Sequence, residues 1–401
     1  MMRTSTSTFR RFAVLAAATL LAGCSTLPGW MVLQGQSSVA DHRHFDNTPI
    51  ARAAVPSPLP PAPATLKWPG GLDTAAVEAM AAANGTLALV VVRRGEVVFE
   101  RYFNGHSRGS ISGSMSVAKS FVSALMGIAI AEGRIASVDD PITRYLPELL
   151  ESDLRFARVT LRDLLSMRSG ISFTEVYGQP FTDAANFYLG DDLKALVKGL
   201  RIAGEPNQQY AYKSGDTQLL GMAIERAVGQ PLATYAQTRL WQPMGAEFDA
   251  SWSQDSAQGG VVRAFCCLNA TAVDFARFGL VFLNDGRWNG QQIVPADWVR
   301  KSTAAQSGLP GADDAARRNI ERPGTRNMAF YAWQWRRAPL PVTGTVTSTE
   351  REPGPDFYAQ GFYGQLIYVA PQTQTVVVRV GTRWGDVNWP NWLGALARSN
   401  P

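Results

Sequence analysis

The period of the apolar positions changes several times along the chain, and each change marks an element. Thr86 to Val92 and Glu96 to Phe103 are β-rich runs around Arg93-Arg94-Gly95, the pattern of a hairpin that opens a folded domain. From Ser116 to Glu132 the chain reads SVAKSFVSALMGIAIAE, with Lys119 the only charge before Glu132 and Gly133 as a stop. A helix apolar on nearly all sides belongs in the middle of a core. Helices and loops then fill residues 134 to about 275, with helical patterns at Leu161 to Met167, Leu193 to Gly199, Thr217 to Val228, Leu232 to Leu240 and Ala270 to Asn284. Strand character returns at Met328 to Trp335, Gln365 to Val369 and Thr375 to Gly381, before a closing helix near Asn391 to Arg398. Strands at both chain ends with helices between them predict an α+β fold. Its antiparallel sheet would be closed by distant segments and flanked by helices, with an inserted helical subdomain over about 134–275.

The first residues follow a different logic. Arg3, Arg10 and Arg11 precede an apolar run from Phe12 to Leu21 that is too short to span a bilayer and reads as a secretory leader. Leu21-Ala22-Gly23-Cys24 resembles a lipobox, in which the Cys24 thiol takes a diacylglyceryl group and becomes the mature N-terminus. That predicts a signal peptide over 1–23 and a membrane anchor through the lipid; an ordinary leader with a chance cysteine is the alternative. Ser25 resembles the outer-membrane sorting pattern of a Gram-negative lipoprotein facing the periplasm. Residues 24–67, polar and then dense in Pro56, Pro58, Pro60, Pro61 and Pro63, read as an extended linker, leaving 68–401 as the domain.

Composition narrows the chemistry. A chain of 401 residues, 46% hydrophobic, can bury a large core. Removing the leader's three arginines from a net charge of +5 leaves +2, which gives no electrostatic reason to expect a nucleic-acid partner. The histidines are His42, His44 and His106, and the first two lie in the polar N-terminal stretch, so a Ser-His-Asp triad could draw only on His106. The cysteines are Cys24, Cys266 and Cys267, and an adjacent pair cannot make a CxxC zinc clamp. We therefore expect no metal and no cofactor. Cys266 and Cys267 fit either a vicinal disulfide or two buried thiols.

Of the six lysines, only Lys119 has a serine three residues before it, Ser116. At helical spacing the amine can reach the hydroxyl. An ammonium on an apolar helix loses hydration, so a neutral, proton-accepting amine becomes accessible near pH 7. A serine at a helix start also places developing negative charge near the positive end of the helix dipole. A serine cap followed by a structurally paired lysine would give the same four residues.

Ser116-Val117-Ala118-Lys119 within GSMSVAKSF resembles the nucleophile motif of the serine β-lactamase and penicillin-binding protein superfamily. Tyr212-Lys213-Ser214 stands where the class C-like branch carries Y-x-N or Y-x-S. RYLPEL, TLRDLLSMRSGI and ATAVDFARFGLVFLNDGRWNGQQIVPADWV resemble recurring segments of that branch. Within it, LLSMRSG, YKSGDTQLLG and GFYGQLIYVAP are most similar to 6-aminohexanoate-oligomer hydrolases and related carboxylesterases. The resemblance implies catalytic Ser116, Lys119 and Tyr212, and an oxyanion hole from the backbone N–H groups of Ser116 and Phe362. Substrate contacts would come from Ser214, Tyr177 and the third-motif strand Ala359-Gln360-Gly361. No cation stands on that strand, although Arg336 or Lys213 could supply one from elsewhere. The implied activity is hydrolysis of a small-molecule ester or amide through an acyl-enzyme. A β-lactamase or D,D-peptidase, and a binding or sensing protein that has lost turnover, are the alternatives.

Overall fold

The computed structural model describes residues 37–399 apart from 178, 180, 307–319, 322–328 and 341–351. The leader, Cys24, Ser25 and Met328 lie outside the described residues.

The main sheet, eight-stranded among the described residues, is antiparallel. Its spatial order is Glu96–Tyr102, Thr86–Arg93, Thr375–Gly381, Gln365–Ala370, Pro353–Gly361, Arg336–Pro339, Ala329–Tyr331 and Ile320–Glu321. The N-terminal hairpin is thus zipped to the last strand, with Val90 opposite Val378. Both faces are covered, which explains why Thr86–Arg93 is a continuous apolar run and not an alternating one. Ala88, Val90 and Val92 pack with Phe121, Val122 and Leu125 on the inner side, while Leu89 and Val91 pack with Trp68, Val77, Trp389 and Leu393 on the outer side. The inner helix Ala272–Leu283 lies close on the sheet because position 279 is glycine: a Cβ there would come within 2.6 Å of Val376 and 2.8 Å of Ile367.

The helix predicted from Ser116 is buried from Ala118 through Ala129 and runs over Ala118–Ala131, preceded by a 3-10 turn at Met115–Val117. It packs on Ser214–Val228, a helix that begins three residues before the predicted Thr217. The predicted strand up to Trp335 is split into Ala329–Tyr331 and Arg336–Pro339 by a turn in which Gln334 has φ +66°.

A second, four-stranded sheet orders Asp46–Ile50, Ala250–Gln254, Leu268–Ala270 and Ser112–Gly113. Two of its strands fall inside the segment expected to be helical, and at five and three residues they are too short to show an alternating pattern. The first strand corrects the expected linker as well. Asp46–Ile50 pairs along Ala250–Gln254, and Ile50, Leu59 and Leu66 are buried. Proline-rich chain is extended whether free or docked, and here it is docked on the outermost strand of the main sheet. Val97 N–H donates to the Pro60 carbonyl at 2.8 Å, Ala62 N–H to Val97 at 2.9 Å and Ala64 N–H to Val98 at 3.1 Å. The prolines lack donors, yet the residues between them cover the sheet edge. Cys266 and Cys267 are joined as a vicinal disulfide and both are buried.

Candidate active site

Ser116 is delivered by the small sheet. Ser112–Gly113 is the strand, Ser114 N–H is held by the Leu268 carbonyl at 2.8 Å, and Met115 then turns the chain with φ +47°. A non-glycine residue in that region is costly and is retained only where its surroundings impose it. The turn sets Ser116 at the mouth of the Ala118–Ala131 helix, with Lys119 one turn on and 1% exposed. Lys119 Nζ lies 3.1 Å from Ser116 Oγ and 3.0 Å from Ser214 Oγ, and it donates to the Phe265 carbonyl at 2.7 Å. Burial pushes this amine down to about 7, and the charge of Arg336 acts in the same direction against Glu175 and Asp216, which oppose it. A primary amine with that affinity is half neutral at physiological pH. A neutral amine 3.1 Å from a hydroxyl can take its proton.

Ser214, expected as a substrate contact, is fully buried and is a partner of the lysine instead. Its N–H donates to Glu175 Oε2 at 2.6 Å and its hydroxyl to Glu175 Oε1 at 2.7 Å. The Tyr177 hydroxyl lies 2.7 Å from Ser214 Oγ and donates to Glu175 Oε1 at 3.0 Å. Burial, with the Glu175 charge, holds the Tyr177 phenol well above its ordinary value, so it stays protonated. Tyr212 is half-buried and turns its ring to the site: the centroid is 5.1 Å from Lys119 Nζ and 5.3 Å from the Arg336 guanidinium, with Tyr331 edge-on at 5.9 Å. The two cations meet its π-face.

The third-motif strand reaches the nucleophile at Gly361. A Cβ on that residue would stand 2.5 Å from the Ser114 carbonyl and 3.0 Å from Ser116 N, so only glycine lets the strand end come this close. This sets the strand end at Gly361, one residue before Phe362, against Ser116 N. Ala359 shares the inner face with Phe357, while Gln360 alternates onto the face of Tyr358, away from Ser116. Gln360, expected among the substrate contacts of this strand, therefore turns its side chain from the nucleophile. The Phe362 ring, 56% exposed, stands 6.2 Å from that of Tyr177 at the rim.

Other candidates are committed elsewhere. His106 Nε2 lies 2.9 Å from Ser112 Oγ. Lys213 is buried and donates to Ser169 Oγ at 3.2 Å, which in turn donates to Asp216 Oδ1 at 2.6 Å, so it does not serve as a substitute cation in the pocket. Arg168 is fully buried and donates to the carbonyls of Asn207 and Gln208 at 2.9 and 2.8 Å. Arg336 is buried beside Tyr212. Sequence reasoning missed Glu175 and the Phe265 carbonyl: a loop carboxylate and a backbone oxygen carry no periodic signature.

The model of the Beta-lactamase family matches residues 72–395, a span that includes every residue of the site. The chain belongs to the β-lactamase family. Among curated members it is 28% identical over 325 residues to the 6-aminohexanoate-dimer hydrolase of Paenarthrobacter ureafaciens, covering 77% of this chain and 75% of that protein. It is also 28% identical over 177 residues to esterase EstB of Burkholderia gladioli, covering 39% of this chain and 44% of that one. A solved Bacillus anthracis structure named "Putative 6-aminohexanoate-dimer hydrolase" superposes with a TM-score of 0.73 at 24% identity, covering 90% of this chain and 92% of that one. EstCE1, described as a hydrolase with promiscuous acyltransferase activity, gives 0.60 at 14% identity, with 81% and 96% covered. At these identities the structures speak for the fold alone. The β-lactamase/transpeptidase-like architecture agrees with the sequence expectation, and the family is one of serine hydrolases.

Proposed function

We propose that this β-lactamase-family protein is an exported, lipid-anchored carboxylesterase or amidase that works through an acyl-enzyme on Ser116. The observation that carries the reading is the buried Lys119 amine, brought to about 7 and held 3.1 Å from Ser116 Oγ. Ser116 Oγ attacks the substrate carbonyl as its proton passes to Lys119 Nζ. The N–H groups of Ser116 and Phe362 receive the oxyanion, and the positive end of the Ala118–Ala131 helix favours the same charge. When the tetrahedral adduct collapses, the proton goes to the leaving amine or alkoxide through Lys119 with Tyr212, and the same groups then draw a proton from the water that frees the acid. The intact Ser116–Lys119 pair speaks against a binding protein without turnover.

The relatives named for an aminohexanoate dimer and for esterase activity support esters and linear amides over β-lactams. The absence of a side-chain cation on Ala359-Gln360-Gly361 supports the same preference, since one lost charge-assisted contact is worth roughly 1.5 to 3 kcal/mol. Export and the lipid anchor rest on the leader and Cys24, and the host's envelope would decide whether the protein faces the periplasm from an outer membrane. The test is turnover of p-nitrophenyl butyrate, an aminohexanoate dimer and nitrocefin side by side. We expect kcat/KM for nitrocefin to fall one to two decades below the best of the other two. Nitrocefin turnover equal to that of the best substrate would make the protein a β-lactamase.

A further inference from the structure

We infer that Glu175 is the positioning residue that aims the lone pair of Lys119 at Ser116, acting through the hydroxyl of Ser214. The inference rests on Ser116 being the nucleophile. A neutral lysine amine has two hydrogens and one lone pair, and Lys119 Nζ has three partners: the Phe265 carbonyl, Ser214 Oγ and Ser116 Oγ. The carbonyl can only accept, so it takes one hydrogen. Which of the two hydroxyls takes the other decides whether Ser116 is activated. If Ser214 pointed its own proton at Nζ, it would occupy the lone pair and leave Ser116 as a mere acceptor.

Glu175 settles the choice. A carboxylate only accepts, and Oε1 receives the Ser214 hydroxyl at 2.7 Å while Oε2 receives the Ser214 N–H at 2.6 Å. With its proton turned to Glu175, Ser214 Oγ can offer Lys119 only a lone pair, so it takes the second hydrogen of the amine. The remaining lone pair then faces Ser116 Oγ–H. Tyr177 shares the arrangement: its hydroxyl lies 2.7 Å from Ser214 Oγ and 3.0 Å from Glu175 Oε1, and its one proton can go to either. No proton need leave Glu175 or Ser214 during the reaction. As Lys119 gains its proton the negative carboxylate, one hydroxyl away, stabilises the ammonium. The other groups that set its charge are Asp216 at the start of the Ser214–Val228 helix, which favours the ammonium, Arg336 from the main sheet, which disfavours it, and the faces of Tyr212 and Phe265.

Glu175→Gln tests this. The Ser214 N–H keeps an amide oxygen as acceptor, which turns the amide NH2 toward the Ser214 and Tyr177 hydroxyls. Ser214 then loses the carboxylate that held its proton away from Lys119, and the acceptors left to it are the Lys119 amine and the Tyr177 oxygen. The readout is the rate at which a fluorophosphonate labels Ser116, followed from pH 5 to 10, with thermal melts to show that the variants fold. We expect the plateau rate to drop by about 10- to 100-fold and the acid limb to move down by about one unit, because a charge favouring the ammonium is gone. Ser214→Ala removes the bridge and should lower the plateau comparably, and adding Glu175→Gln to it should cost little more. A wild-type rate in either folded single variant overturns the assignment. So does a slower Glu175→Gln with an unmoved limb, which would make Glu175 a packing residue of its loop. Failure of Ser116 to label in the wild type would overturn the hydrolase reading itself.

Discussion

The protonation of Lys119 makes a rate prediction with a definite shape. Burial brings its affinity from the ordinary lysine value of 10.5 to about 7, so at pH 7 about half of the amines are neutral, on the order of 10³ more than an exposed lysine would supply. Only the neutral form accepts the Ser116 proton, so kcat/KM, which reports the free enzyme, should rise with pH and level off once the amine has lost its proton. The neutral fraction grows from about 0.09 at pH 6 to about 0.9 at pH 8 for a group at about 7, a tenfold gain and then a plateau. An exposed lysine would give about a hundredfold gain over the same interval and keep rising to about pH 10. The assay is the initial release of p-nitrophenolate from p-nitrophenyl butyrate at low substrate, with spontaneous hydrolysis subtracted using Ser116→Ala. Lys119→Arg, which cannot lose its proton in this range, should fall to the Ser116→Ala baseline at every pH. A profile still climbing tenfold per unit above pH 8 would refute the claim that burial of Lys119 creates the base. Activity in Lys119→Arg above that baseline would refute its role as the base at all.

Tyr212→Phe keeps the ring face against Lys119 and Arg336 and removes the hydroxyl; kcat on an aminohexanoate amide should fall about two to four decades, and on p-nitrophenyl butyrate much less, because p-nitrophenolate leaves without a proton. Equal losses on both would assign the hydroxyl to the tetrahedral adduct instead of the leaving group. Gly361→Ala should lower both the melting temperature and the labelling rate of Ser116, since its Cβ would meet the Ser114 carbonyl at 2.5 Å and Ser116 N at 3.0 Å, backbone atoms that cannot turn aside; an overpacked site costs about 1 to 3 kcal/mol, and an unchanged melt and rate would show that the strand end is not clamped on the nucleophile. Cys24→Ala should move the protein from the detergent phase to the aqueous phase in Triton X-114 partitioning; retention in the detergent phase would point to another anchor.

The parts of this fold that were legible in the sequence are those whose signal is local. The hairpin around Arg94-Gly95, the apolar helix after Ser116 and the last two strand runs, Gln365 to Val369 and Thr375 to Gly381, each announce themselves within a dozen residues. Ser116 and Lys119 were legible for the same reason, being one helical turn apart. What was hidden depends on distance in the chain. Thr48 donates to Gln254 across 206 residues, and nothing in a proline-rich stretch says whether its extended backbone is free or docked. Glu175 meets Ser214 across 39 residues from a loop without periodicity. Ser214 was noticed for its place in a motif, but its bond to Lys119 follows from the crossing of two buried helices. Alternation along the third-motif strand was readable in principle, and it puts Gln360 on the face opposite Ala359.

The central claim is that Ser116 is the nucleophile, and covalent labelling tests it most directly. The protein is treated with a fluorophosphonate at pH 8, digested, and the adduct located by tandem mass spectrometry, with Lys119→Arg treated alongside. We expect one adduct per chain, on Ser116, absent from Lys119→Arg. An adduct on another serine, or none on a folded wild-type protein, would contradict the claim.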